Sequence, residues 1–275
     1  LDLHCNVFRR QLDGGLVADC AQRLGDLCQL IGHLADAISA QGSELVLSKI
    51  SAPTHGWLSN ITRSGRVDGI LVIGQSDQEA ELSRVAVNYR PLVVWGQYRA
   101  GQNYCSVGTD NFAGGRMAAQ RLIDSGRRRL VFAGMTDIPE IAARRDGFIR
   151  ACEDAGIAPD GQIETHLTAD AAYARLAEAV AGDFDADGVV AASDVIAMSA
   201  MRALIERGRR VPEDVAVIGY DDVGLAAFTT PPLTTIRQDL KRAAEAMVDL
   251  LFRRIANEEA HSLSLPPELV VRASA

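Results

Sequence analysis

Apolar residues along the chain follow two patterns that alternate. The first is a short apolar run bounded by polar residues, as at 215–219, which is typical of a strand buried on both faces of a parallel sheet. The second places apolar residues three and four positions apart, as at 27–41, which predicts an amphipathic helix that ends before Gly42. The alternation of strands and helices predicts an α/β protein with parallel sheets and right-handed crossovers.

Other segments extend this alternation along the chain. Strands are predicted at 15–18, 45–47, 67–73, 92–95, 130–134 and 188–192, and helices at 57–64, 113–125, 144–156, 195–207 and 238–254. Residues 1–14 are hard to place: Val7 and Phe8 could start a strand, but Arg9 and Arg10 interrupt it, so 15–18 is the better first strand. Pro231 and Pro232 predict a rigid connector, since proline fits neither a central strand nor a helix interior.

Polar side chains come directly after several of the predicted strands. In open α/β sheets the carboxyl ends of the strands face the crevice where ligands bind. The candidate ligand-binding residues at these positions are Asp19, Gln75, Gln97, Ser193, Asp194 and Asp221. An ionised aspartate such as Asp221 only accepts hydrogen bonds, so it suits a ligand rich in hydroxyl or N–H groups. Asp19 and Asp194 have an alternative role as helix caps, and Gln75 has one as a polar loop residue.

Composition narrows the class of protein. The chain has 275 residues, a formal net charge of -8 and a pI of about 5.2, which argues against direct binding of nucleic acid. Its five cysteines, an odd number without a C-x-x-C pair, indicate reduced thiols in a cytoplasmic protein. No apolar run reaches the ~18 residues that span a membrane, and the N-terminus lacks a signal-peptide pattern. The same alternation would suit an NAD-dependent enzyme, but no G-x-G-x-x-G follows the first strand and no metal-spaced histidines and cysteines occur, so no cofactor and no metal are expected.

Two neighbouring segments carry a resemblance to a known family. VIGYDD at 217–222, followed by PPLTTIRQD at 231–239, closely resembles the signature of the LacI/GalR family of bacterial transcription regulators. Similar segments occur in the family's order along nearly the whole chain: VDGILVI at 67–73, VGTDN at 107–111 with GG at 114–115, RRDGF at 144–148 and PPELVVR at 266–272. The most specific feature is the PPLTTI segment joined to the GYDD strand end.

The resemblance implies a fold and a division into domains. The fold is two Rossmann-like lobes with parallel sheets, joined by three crossover strands, which is the periplasmic-binding-protein type I architecture. The N-terminal lobe is expected to contain 1–108 plus 238–256, and the C-terminal lobe 109–237 plus 257–275. No segment matches the family's N-terminal helix-turn-helix, so this chain is expected to be the effector-binding and dimerisation core alone.

The resemblance also adds Arg144 to the site candidates and shows two places where this chain differs from the family pattern. Arg144 opens RRDGF, and in several family members the arginine at that position reaches the effector. Its planar guanidinium can donate two parallel hydrogen bonds to a vicinal diol or a carboxylate, and the alternative role is a salt bridge between lobes. Ser193 stands where the family has Asn, so it keeps a hydroxyl but loses an amide. Residues 20–26 depart from the family pattern after Asp19.

The implied function is sensing rather than catalysis. A small sugar or sugar derivative is expected to bind between the lobes and shift their arrangement. This shift is expected to change DNA binding by the whole regulator. The regulator is expected to be a repressor, a homodimer and a cytoplasmic protein. Operator DNA is expected to contact only the missing N-terminal domain, and no membrane or enzymatic turnover is expected. The alternative is the sugar-binding protein of an ABC transporter, which shares the fold, but PPLTTIRQD, the odd cysteine count and the missing signal peptide weigh against it.

Overall fold

The computed structural model describes residues 3–7, 25–49, 56–73 and 79–275. The chain divides into two compact units. Unit 1 contains Leu1–Thr109 and Asp239–Leu265, and unit 2 contains Asp110–Gln238 and Pro266–Ala275. The predicted strand at 15–18 lies outside the described residues.

The strands and helices alternate along most of the described chain. The strands are β1 (Leu3–Val7), β2 (Leu45–Lys49), β3 (Gly69–Ile73), β4 (Leu92–Trp95), β5 (Cys105–Thr109), β6 (Leu130–Ala133), β7 (Gln162–Ile163), β8 (Gly188–Ala191), β9 (Ala216–Asp221), β10 (Thr234–Arg237), β11 (Leu263–Leu265) and β12 (Glu268–Val270). The α-helices are α1 (Gly25–Ala40), α2 (Trp57–Arg63), α3 (Glu79–Ala86), α4 (Asn111–Asp124), α5 (Pro139–Asp154), α6 (Ala169–Ala181), α7 (Asp194–Glu206) and α8 (Leu240–Ile255). A 3-10 helix covers Gly224–Phe228.

Each unit is built on one sheet whose strands are mostly parallel. The order is β11-β5-β4-β3-β1-β2 in unit 1 and β12-β10-β9-β8-β6-β7 in unit 2. The predicted α/β architecture with parallel sheets is therefore confirmed. Two strands run against this direction: β1 is antiparallel to both β2 and β3, and β12 is antiparallel to β10.

The short strand β11 determines the unit to which the segment after α8 belongs. It pairs in parallel with β5, with Leu263 opposite Val107 and Leu265 opposite Thr109. Residues up to Leu265 therefore lie in unit 1, whereas the family resemblance led us to expect 257–275 in the second lobe. The reason is sheet pairing, which joins residues distant in sequence and leaves no local pattern in three residues.

In unit 2, α4 and α5 pack closely at two glycines, one on each helix. A Cβ on Gly115 would lie 1.8 Å from the carbonyl oxygen of Arg144, and one on Gly147 would lie 2.0 Å from that of Phe112. The two helix backbones therefore approach more closely than any side chain at these positions would allow. Arg144 lies at this contact, because its carbonyl oxygen is the atom that a Cβ on Gly115 would meet.

Charged and polar side chains begin the helices that follow the strands. Asp110 caps α4 by accepting a hydrogen bond from the Ala113 N–H at 2.9 Å, and Asp239 caps α8 by accepting one from the Arg242 N–H at 3.0 Å.

Among the described residues, every helix is too short or too polar to cross a membrane.

We expect Gly115→Ala to destabilise the protein by about 1–3 kcal/mol, because the added methyl group forces α4 and α5 apart. The matched control is Gly32→Ala in α1, where an added Cβ meets nothing within 4 Å. That change is expected to stabilise by roughly 0.5–1 kcal/mol, since alanine favours the helix over glycine. Urea unfolding measures both. Equal effects of the two substitutions would show that the α4–α5 contact is not tight.

Candidate functional site

The carboxyl ends of β8 and β9 lie side by side in unit 2. The two strands pair in parallel, with Val190 opposite Ile218, so the residues after them meet at one edge of the sheet. Asp221 is the last residue of β9, Ser193 lies between β8 and α7, and Asp194 is the first residue of α7. This edge is where ligands bind in open α/β sheets.

Arg144 extends from α5 to this edge and is held by four partners. Its Nε donates to Oδ1 of Asn111 at 2.8 Å, and one terminal nitrogen donates to the Ala192 carbonyl oxygen at 2.6 Å. The same terminal nitrogen lies 3.7 Å from Oδ1 of Asp221. The guanidinium carbon stacks 3.6 Å from the centroid of the Tyr220 ring. Arg144 is only 8% exposed, so its orientation is set by the protein and not by solvent.

Tyr220 supplies an uncharged platform for this arginine. Burial raises the pKa of Tyr220 to about 12, although the neighbouring Arg144 opposes the shift. The phenol is therefore neutral at physiological pH and offers Arg144 the face of its ring. Gly114 makes room for it, because a Cβ there would lie 2.4 Å from the Tyr220 hydroxyl oxygen.

Asp221 and Asp222 have separate partners although they are adjacent. Asp221 accepts a hydrogen bond on Oδ1 from Nε2 of Gln238 at 2.9 Å and faces Arg144. Asp222 accepts from Arg237 at 2.7 Å and from Arg272 at 2.6 Å. The first carboxylate thus belongs to the Arg144 cluster, and the second is neutralised by two arginines on β10 and near the C-terminus.

The structure gives Ser193 and Asp194 different local roles. The Ser193 hydroxyl accepts the Ile196 N–H at 3.3 Å and is the N-cap of α7, the role considered for Asp194. Asp194 is 0% exposed, and both of its carboxylate oxygens accept hydrogen bonds. We therefore assign Asp194 a structural role instead of ligand contact, because no part of it reaches the surface.

Of the other candidates, the structure describes only Gln97. Gln97 follows β4 in unit 1 and is half-buried. Asp19 and Gln75 lie outside the described residues. Within the described chain, no group of three histidine, cysteine or acidic side chains is arranged to hold a metal ion.

Three residues that shape this cluster were not among the candidates from the sequence: Asn111, Tyr220 and Gln238. All three lie inside segments quoted for the family resemblance, namely VGTDN, VIGYDD and PPLTTIRQD. The motifs therefore contained the signal, but a residue type alone does not show which of its neighbours it contacts.

The chain is similar in sequence to known regulators. Residues 119–275, more than half of the chain, match the periplasmic binding protein-like domain. The chain is 35% identical over 251 residues to the HTH-type transcriptional regulator CelR of Thermobifida fusca, covering 86% of this chain and 72% of CelR. It is 36% identical over 216 residues to the HTH-type transcriptional repressor PurR of Pasteurella multocida, covering 76% of this chain. It spans 64% of the length of PurR, which is less than two thirds.

Solved structures share the fold. The transcriptional regulator CelR–cellobiose complex has a TM-score of 0.83 at 32% identity, covering 94% of this chain and 83% of that chain. A LacI family transcriptional regulator from Enterococcus faecium with bound ribose has a TM-score of 0.81 at 27% identity, covering 94% of this chain and 96% of that one.

Asp194 is expected to make stability depend on pH. Burial, followed by the charge of Asp221, raises the pKa of Asp194 from 3.8 to about 8. Between these values the folded chain binds a proton that the unfolded chain lacks, so the free energy of unfolding falls as pH rises from about 4 to about 8.

The Asp194→Asn side chain does not titrate. This variant is therefore expected to show a smaller fall in the free energy of unfolding between about pH 4 and about pH 8, measured by urea unfolding at a series of pH values. Asp124→Asn, on the exposed surface of α4, is the control and is expected to keep the wild-type slope. An Asp194→Asn profile as steep as that of the wild type would contradict the assignment.

Proposed function

This chain belongs to the LacI family of transcriptional regulators, and we propose that it is the part that binds a small effector for a longer regulator. The observation that carries the proposal is the pairing of Arg144 with Asp221 at the carboxyl edge of the unit 2 sheet. One group donates hydrogen bonds and the other accepts them, and both are already oriented by protein contacts. Such a preformed pair loses little conformational entropy when a ligand binds.

A sugar or sugar derivative fits this chemistry best. Each sugar hydroxyl can both donate and accept a hydrogen bond, so vicinal hydroxyls can use the Arg144 donors and the Asp221 acceptor together. Two similar structures are complexes with cellobiose and with ribose. We infer that Arg144 and Asp221 contact the effector, and that Ser193, Gln97, Gln75 and Asp19 are further candidate contacts.

We propose regulation without turnover as the outcome of binding. The related proteins CelR and PurR are named as transcriptional regulators, which favours this role over that of a transporter's sugar-binding protein. An effector that binds one conformation more tightly shifts the population toward it, typically by ~1–3 kcal/mol of coupling. In the whole regulator, which we propose to be a cytoplasmic protein, this shift would change binding to operator DNA.

We also propose that the chain forms a homodimer. The 3-10 helix Gly224–Phe228 presents two apolar side chains to solvent: Leu225 is 67% exposed and Phe228 is 84% exposed. Neighbouring exposed apolar residues of this size are typical of a protein–protein interface. Family resemblance is the second support, since dimerisation is expected of LacI-type cores.

Arg144→Ala and Asp221→Asn are each expected to weaken effector binding by about 10- to 100-fold, because each removes a hydrogen bond to a charged group. Isothermal titration with a panel of sugars that includes cellobiose and ribose identifies the ligand and measures the loss. The control is Arg150→Ala, which removes the same charge from an exposed position on α5. If a ligand is found and both site variants bind it as the wild type does, the assignment is wrong.

Phe228→Asp is expected to convert the dimer to a monomer, since a carboxylate cannot be buried there without a partner. Analytical ultracentrifugation measures the mass. Val87→Asp is the matched control, because Val87 is also an exposed apolar residue, with 68% of its surface exposed, but lies in unit 1. A Phe228→Asp variant that remains dimeric would place the interface elsewhere.

A further inference from the structure

The turn that follows β9 has an unusual backbone. Asp221 has a φ of 114° and Asp222 a φ of 56°, so two consecutive residues with side chains lie at positive φ. This region is costly for any residue that has a Cβ, and it persists only where the surrounding structure enforces it. The turn matters because its first residue, Asp221, faces Arg144.

Two buried side chains hold the backbone of this turn. Oδ2 of Asp194 accepts a hydrogen bond from the Val223 N–H at 2.8 Å. Oγ1 of Thr235 accepts one from the Asp222 N–H at 3.4 Å. The two side chains are also joined to each other, with 2.5 Å between Thr235 Oγ1 and Asp194 Oδ1. Both residues are fully buried, so these contacts do not compete with water.

Asp194 also packs against the strand itself. A Cβ on Gly219 would lie 2.1 Å from Oδ1 of Asp194, so only glycine lets the carboxyl group reach this depth. Asp194, the first residue of α7, thus contacts both β9, at Gly219, and β10, at Thr235. No described contact of Asp194 is directed toward the Arg144 side chain.

We propose that Asp194 and Thr235 are a positioning pair, which holds the backbone of the turn after β9 so that the Asp221 carboxylate faces Arg144. The pair acts through the N–H groups of Asp222 and Val223 and does not touch the ligand. The value of this position for ligand binding rests on the proposed function, but the positioning itself is testable on the protein alone.

The test is amide hydrogen exchange of Asp222 and Val223, measured by NMR on the whole chain. Thr235→Val keeps the shape of the side chain and removes the hydroxyl, and it is expected to speed exchange at both amides by about tenfold. Thr235→Ser restores the hydroxyl and is expected to restore slow exchange. Asp194→Asn keeps an acceptor for the Val223 N–H and is expected to change exchange there little.

Thr234→Val is the matched control. Thr234 is the neighbouring residue on β10 and equally buried, but its hydroxyl accepts the Arg272 N–H at 2.9 Å and not an amide of the turn. It is expected to leave exchange at Asp222 and Val223 unchanged even if it lowers global stability. Unchanged exchange in Thr235→Val, or equal acceleration in Thr234→Val, would overturn the proposal.

Titration with cellobiose and ribose separates this result from the proposed function. Exchange needs no ligand, so a wild type that binds neither sugar leaves the exchange result standing and counts only against the proposed ligand class. If a sugar binds, Thr235→Val is expected to weaken it by about tenfold and Thr235→Ser to restore the affinity. Unchanged affinity in a Thr235→Val variant whose turn exchanges faster would show that the pair does not position Asp221 for the ligand.

Discussion

Charged groups at the carboxyl edge of unit 2 can be buried only because each one has partners within reach. A buried ion without a partner costs several kcal/mol, so the side chains around it are as constrained as the ion itself. Arg144 is surrounded by an amide oxygen, a carbonyl oxygen, a carboxylate and the face of Tyr220. The result is a guanidinium and a carboxylate that are both oriented before any ligand arrives.

The close contact between α4 and α5 connects this site to the fold. Gly115 and Gly147 let the two helix backbones touch, and Arg144 lies on α5 at that contact. The partner of its Nε, Asn111, is the first residue of α4. The packing of α4 against α5 therefore also brings Arg144 and Asn111 within hydrogen-bond distance.

Three aspartates near the end of β9 illustrate how environment divides roles among identical residues. Asp221 faces Arg144, Asp222 is bound by Arg237 and Arg272, and Asp194 is buried with a raised pKa. Only the first is proposed to contact the ligand. Asp222 is bound by side chains of β10 and the C-terminal segment, whereas Asp194 accepts hydrogen bonds from the Val223 N–H and the Thr235 hydroxyl.

The sequence by itself determined the α/β class, the strand at 215–219, the family, and Arg144 and Asp221 as the leading site candidates. These followed from local periodicity and from motifs, which depend on residues close together along the chain. It did not determine that β1 runs antiparallel, that β11 joins unit 1, or that Asp194 is buried while Ser193 caps α7. Pairing and burial arise between residues far apart in sequence, so only the tertiary structure decided them.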